Sequence, residues 1–350
     1  MTTAQAAKES AFSLNTEYPK SQIRQIIEPS LDQFQAILQS YTQFNLIFWT
    51  LLLVEMTYVF FHLTFLAQSF LLAVAFALCV GTIFFYFTLK IYFQTKKVER
   101  CRDLKDDFLQ ACYGVLHYRH GVPEHHVMLA NACADFASAL HGKEYASFRS
   151  LAKMSVLSPW LEKLSCHCYW DDVHAMRELL LLAAVEEHTK LVQCRPTDLT
   201  SHVGLANAYV MLSGLYVDPR TIDGFDDERW IPPNKYDDKV KSKFRLMSER
   251  AIEEFKILNE YAPRDPWVHA QLAYSYRDLQ MPAEEIKEYE TILQLCPDDK
   301  EILYKLGRLY FEQGRNADGL QVYEQLKRAN YIKAESLIHF YGSYNPIQQR

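Results

Sequence analysis

"PWVHAQLAYSYRDLQMPAEEIKEYETILQLCPDD", Pro266–Asp299, carries apolar and small residues at helical spacing, with Leu272, Ala273 and Tyr276 on one face. Thirty-four positions after Leu272 stands Leu306, opening "LGRLY" at Leu306–Tyr310. The same figure appears twice upstream, as "LANAY" at Leu205–Tyr209 and "LANAC" at Leu129–Cys133. Each copy has a small residue directly after the leucine and an aromatic residue or cysteine four places on. A fixed period in this range marks helical hairpins that stack, the small residue letting neighbouring helices approach closely.

The two downstream units resemble the tetratricopeptide repeat, whose period is 34 residues. In the first, Leu272, Ala273 and Tyr276 hold the family's Leu-Gly-Tyr positions, Tyr289 the aromatic position of the second helix and Pro297 the closing proline. In the second, Leu306, Gly307, Tyr310, Gly314 and Tyr323 match, while Gly319 replaces the usual alanine and Tyr331 the proline. The resemblance implies an α-solenoid of antiparallel helix pairs.

Going upstream, the interval from Leu205 to Leu272 is 67 residues, one repeat plus an insertion. Its second helix carries Ala251, Phe255 and Pro263 in phase. The intervening stretch, rich in Pro, Gly and acidic residues, reads as a loop at 213–244, and removing 214–243 is expected to leave the fold largely intact. The interval from Leu129 to Leu205 is 76 residues and accommodates two looser units. Second helices are expected near 144–156 and in "VHAMRELLLLAAVEEHTKLVQCRP", where Ala184 and Pro196 are in phase. The solenoid is expected over 123–341, followed by a tail at 342–350.

Before it lies Phe44–Phe93, two apolar stretches of 24 residues at 44–67 and 70–93. Each spans about 36 Å as a helix, enough to cross a hydrocarbon core of roughly 30 Å. Gln68 and Ser69 leave room only for a tight turn, so a transmembrane hairpin is expected. "TKKVERCRDLK" after it supplies Lys96, Lys97, Arg100, Arg102 and Lys105, and positive flanks stay cytosolic, which puts both termini on that side. A polar leader with a short amphipathic helix covers 1–43, and a juxtamembrane helical linker 94–122. The fold class is therefore all-α: an N-terminal two-helix transmembrane hairpin followed by a tetratricopeptide-like α-solenoid.

Within the first span, Glu55 and His62 are ionisable groups that lipid penalises. An antiparallel hairpin turning at 68–69 sets Glu55 near Thr82, so a polar pair holding the two helices together is the preferred reading over transport or catalysis. A net charge of -6 argues against nucleic acid as main partner. Eight cysteines scattered through apolar helical patterns read as reduced, buried thiols. "CHCYWDDVHAM" offers Cys166, His167, Cys168, Asp171, Asp172 and His174, but without a second spaced ligand pair no metal site or cofactor is expected. No enzyme signature is present.

The repeat resemblance implies a binding groove on the concave face. Carried over position by position, it falls on Asn131, Asn207, Tyr274 and Arg308, flanked by Val203, Ala270, Tyr304 and Trp267, with Arg277 on the same side. Lysines that would complete a carboxylate clamp in this family are replaced by Val127 and Val203. The expected function is a membrane-anchored scaffold that binds a protein or peptide, with a homo-oligomer through the hairpin left open. Two alternatives stand beside it. The order of leader, two-lobed hairpin and cytosolic domain resembles secreted bacterial inclusion-membrane proteins that recruit host factors. A membrane-associated enzyme or transport component would use Glu55 and His62.

Overall fold

The computed structural model describes residues 17–63, 70–119, 121–145, 158–221 and 230–343. The turn at Gln68 and Ser69, most of the helix expected near 144–156, Asp226–Arg229 of the insertion and most of the tail lie outside them. Among the described residues there are eleven α-helices and no strand. By contacts the chain divides into an amino-terminal unit, 16–184 with 226–233, and a carboxy-terminal unit built mainly of 185–225 and 234–350.

In the amino-terminal unit, α1 (Glu17–Phe61) and α2 (Leu71–Leu116) are long antiparallel partners. Thr82 donates its hydroxyl to Glu55 Oε1 at 2.8 Å, and the rings of Phe44 and Phe93 meet at 4.5 Å, two cross-helix pairs in one register. The halves away from the loop differ from those beside it. Ile23, Ile27, Ser30, Phe34 and Leu38 of α1, and Cys101, Leu104, Phe108 and Cys112 of α2, recur every three or four residues and are buried. Beyond Phe44 and before Phe93 most apolar side chains, all but those where the two helices meet, remain uncovered; Leu46 is 65% and Phe60 74% exposed. Both helices are long and apolar enough to cross a membrane.

Pro123 opens α3 (Pro123–Ala139), which packs against both long helices and sets Phe136 4.9 Å from Phe108. Lys97 of α2 forms an ion pair of 2.7 Å with Asp172 and lies over the Tyr41 ring, while Thr42 bonds to the Tyr169 hydroxyl. Asp172 and Tyr169 belong to α4 (Ser158–Cys194), which corrects the repeat arithmetic. Two short helices fit the interval, yet the structure has one helix of 37 residues. The reason is local: from Trp160 to Arg195 there is neither Pro nor Gly to end it.

The carboxy-terminal unit stacks three antiparallel pairs: α5 (Leu199–Leu215) with α6 (Asp238–Tyr261), α7 (Pro266–Asp278) with α8 (Pro282–Leu295), and α9 (Lys300–Glu312) with α10 (Asn316–Arg328). Asp198, Asp265 and Asp299 cap the first helices by accepting backbone N–H bonds from the first turn. The tight turns ending α7, α9 and α10 share one form: Met281, Arg315 and Tyr331 each donate to the carbonyl five residues back. Helices touch their sequence neighbours, so burial is local to each pair and its junctions. One core gathers Ala206, Phe255 and Leu272; the next gathers Tyr289, Leu306 and Phe311 and is closed by Leu337 of the short α11 (Ala334–Leu337).

The 213–244 segment is less of a loop than its composition suggests. Leu215 and Tyr216 are buried, and Lys243 lies over the Tyr216 ring. At the far side Ile231 is buried, while the Trp230 carbonyl accepts from the Tyr145 hydroxyl and the Cys166 thiol. Deleting 214–243 therefore removes packed side chains and hydrogen bonds, against the expectation of a dispensable loop. All eight thiols are free; Cys79, Cys101, Cys112, Cys133 and Cys166 are buried as expected, but Cys168, Cys194 and Cys296 are exposed. Among the described residues no group of three or more potential ligands is placed to hold a metal.

Candidate partner-binding face

The first helices α5, α7 and α9 begin at equivalent aspartate caps, so equivalent positions along them keep equivalent surroundings. Ala206, Ala273 and Gly307 are buried at the helix contacts. The residue after each, Asn207, Tyr274 or Arg308, is consequently turned off the contact: Asn207 and Arg308 are exposed and Tyr274 half-buried. Asn131 is likewise exposed on α3 in the amino-terminal unit.

Tyr274 stands between two cations. Arg277, one turn on, lies 5.3 Å from its ring centre, and Lys305 of α9 lies 5.1 Å away while donating to the phenol oxygen at 3.2 Å. Burial depresses the Lys305 pKa, but bonds to Tyr274 and Glu301 outweigh it and leave the ammonium firmer than usual. Arg308 donates to Glu312 at 2.6 Å and covers the Phe340 ring at 4.8 Å. Tyr304 bonds to Ser336 and rests against Tyr331, and Trp267 packs edge-on to Phe255. The structure thus brings Tyr274, Arg277 and Lys305 into one group and sets Arg308 and Tyr304 against the carboxy-terminal cover, while Trp267 belongs partly to the core. Lys305 is absent from the register-based set because it sits one place outside the stripe; its signal is its position beside Leu306, facing the preceding repeat.

Beneath this face Glu285 of α8 is buried, and burial raises its pKa to about 7, with Arg277 pulling it partly back. A carboxyl that titrates at 4.5 when unfolded then loses stability for the fold as pH rises from 4.5 to 7. Glu285→Gln is expected to raise stability above pH 7 by about 1–2 kcal/mol and to flatten that part of the urea-unfolding profile.

A family model for the tetratricopeptide repeat matches residues 266–309, which are α7, α8 and most of α9. The match makes this stretch a tetratricopeptide repeat, and the pairs on either side of it share its antiparallel helix-pair form. No curated protein matches the chain. Among solved structures, the chain is similar at 13% identity to an IFIT1 monomeric mutant with Gppp-AAAA, over 71% of this chain and 61% of that one, with a TM-score of 0.34. It is also similar to the P58(IPK) TPR domain, at 16% identity over 93% of this chain and 99% of that one, with a TM-score of 0.20. The chain spans less than two thirds of the IFIT1 chain. Tetratricopeptide repeats are interaction modules, and the Tyr274 group lies on a first-helix face within the matched residues.

In the amino-terminal unit, the polar residues of the long helices have separate surroundings. Glu55 Oε1 accepts from Thr82, its other oxygen is buried, and His62, just past the end of α1, meets the Tyr58 ring at a tilt with centres 4.7 Å apart. His174 stacks on Trp170 at 3.5 Å, and burial lowers its pKa to about 4, which keeps it neutral.

Proposed function

We propose that this protein is a membrane-anchored adaptor: α1 and α2 insert as a hairpin with both termini cytosolic, and the tetratricopeptide repeats capture a protein or peptide along their concave face. The observation that carries the reading is the uncovered apolar surface on α1 beyond Phe44 and on α2 before Phe93. Trp49, Leu53, Phe60, Phe76, Phe84 and Phe87 are all exposed there, on several faces of the helices. Water penalises such surface at about 25 cal/mol per Å², whereas hydrocarbon accepts it. The Glu55–Thr82 bond then pairs one oxygen of a carboxyl in lipid and fixes the register of the hairpin.

The face offers the Tyr274 ring between Arg277 and Lys305, with Arg308 further along it over Phe340, a mixture suited to an extended or helical peptide. Crosslinking in intact membranes, followed by identification of captured proteins, tests both halves. Tyr274→Ala with Arg308→Ala is expected to lower capture at least about tenfold, the effect of losing about 1.4 kcal/mol of binding, while the chain stays in the alkali-resistant membrane pellet. Unchanged capture by the double variant would remove the groove from the reading, and release of the wild-type chain by alkali would remove the anchor.

A further inference from the structure

Three first helices carry a buried histidine three residues before the repeat leucine, His126 in α3, His202 in α5 and His269 in α7, and in the last two it follows an aspartate cap. His202 Nδ1 lies 2.6 Å from Glu254 Oε2 and its Nε2 2.9 Å from the Pro196 carbonyl oxygen. His269 repeats the arrangement, with Glu288 Oε2 at 2.6 Å and the Pro263 carbonyl oxygen at 3.1 Å. A carbonyl and an ionised carboxylate can only accept. Both ring nitrogens therefore donate, which requires the imidazolium form. Each cation ties its own helix to the second helix of its repeat and to the proline that precedes the repeat.

The recurrence has a sequence form, Pro-x-Asp-x3-His. Pro196, Asp198 and His202 make one copy, and Pro263, Asp265 and His269 the other. The third unit has Pro297 and Asp299, but Leu303 stands in the histidine position and packs against the carboxy-terminal core. That unit is an internal control.

We propose that His202 and His269 are proton-operated latches, one within each of two successive repeats, which lock the helix pair and the turn before it while doubly protonated and loosen them as pH rises. Loss of the proton leaves one N–H for two acceptors, so a ring nitrogen of each buried histidine brings a lone pair against the half-buried glutamate or the proline carbonyl, and one of the two bonds is lost. The charged groups about His202 are Glu254 on α6 and Asp198 at its own cap, with Tyr209, Arg250 and Glu253 around Glu254. About His269 they are Glu288 on α8 and Asp265 at its own cap, with Tyr276 and Glu284 beside Glu288. For His202, burial lowers the pKa, but the bonds to Glu254 and Pro196 outweigh it and the net direction is upward from 6.5. The stabilisation is thus complete below 6.5 and lost as pH rises through the folded value.

Hydrogen exchange of the full chain in lipid nanodiscs, read by mass spectrometry from pH 6 to 9 and corrected for intrinsic rates, tests this. Protection over 199–261 and 266–295 is expected to fall by about tenfold or more relative to 300–328, the effect of losing about 1.4 kcal/mol of local stability. The titration of Glu285 is common to wild type and variants and drops out of their difference. His202→Gln with His269→Gln is expected to abolish the differential fall. Glu254→Gln with Glu288→Gln, which keeps both rings but withdraws the anionic acceptors, is expected to move the fall to lower pH. A flat wild-type profile, or a fall that either double variant leaves unmoved, overturns the proposal; if the histidine variant does not fold, the glutamine-acceptor variant decides alone.

Discussion

Phe255→Ala is expected to lower the stability of the carboxy-terminal unit by about 3–5 kcal/mol, the usual range for emptying a fully buried aromatic site. The ring has no exposed surface and sits in a core with Ala206, Ala251, Leu258, Leu272 and Tyr276. These neighbours come from α5, α6 and α7, so the ring joins one repeat to the next. Two features limit relaxation into the vacated space: Ala206 has no side chain long enough to fill it, and Leu272 is already buried. Urea unfolding of the full chain in nanodiscs, followed by circular dichroism, measures the loss. Trp267, whose ring meets Phe255 edge-on at 6.2 Å, gives a local fluorescence signal for the same site. Leu246→Ala on the same helix is the control; that side chain is 48% exposed, and its removal should change stability by about 0.5 kcal/mol or less. A Phe255 loss below about 1 kcal/mol would mean that the junction is loosely packed and that the repeats are held by something other than this core.

Phe255 shows what a one-dimensional pattern reveals well. In a solenoid, burial depends on position within the repeat, so Leu272, Tyr289, Leu306 and Phe255 can be placed from period and phase. The apolar stretches at 44–67 and 70–93 are equally legible, because length and composition alone decide whether a helix can span hydrocarbon. Legibility fails where a contact is made between segments far apart in sequence. Pro, Gly and acidic residues at 213–244 resemble an open loop, and only the three-dimensional arrangement puts Ile231 in a buried position or Tyr145 on the Trp230 carbonyl. It fails differently at α4, where spacing between distant motifs outweighed the local absence of helix breakers; the local signal was the better one. At the candidate face, phase places Tyr274 and Arg308 off the helix contacts, but says nothing of Lys305 on the Tyr274 phenol or Phe340 under Arg308. Neither His202 nor His269 is legible singly, since each taken alone is an ordinary residue in an apolar helix. Their signal was the repeated distance from proline to aspartate to histidine, visible once the repeats are aligned.

Gly319→Ala would restore the residue usual at this position of the tetratricopeptide repeat, and it is expected to destabilise the unit by about 2–3 kcal/mol, the cost of overpacking a rigid core. A Cβ on Gly319 would lie 2.5 Å from Cε1 of Phe311 and within 2.8 Å of two further atoms of that ring. Phe311 is fully buried among Tyr289, Leu326 and Leu337, with Tyr341 edge-on to its ring, so it has no open space to enter. The opposing effect is conformational: alanine in a helix interior gains about 1 kcal/mol over glycine. Overlap of a carbon atom with a confined ring is the larger of the two, and it fixes the sign. The exchange of residues is therefore paired, glycine on α10 making room for a phenylalanine at the end of α9. That pairing gives a second measurement. Phe311→Leu alone should cost stability through the space it leaves, whereas combined with Gly319→Ala the two losses should fail to add, by about 1 kcal/mol or more, because the new methyl group occupies part of that space. Urea midpoints of the four chains decide it: if Gly319→Ala stabilises the protein, or if the two changes add independently, the close approach of α9 and α10 at this point is not what excludes the usual alanine.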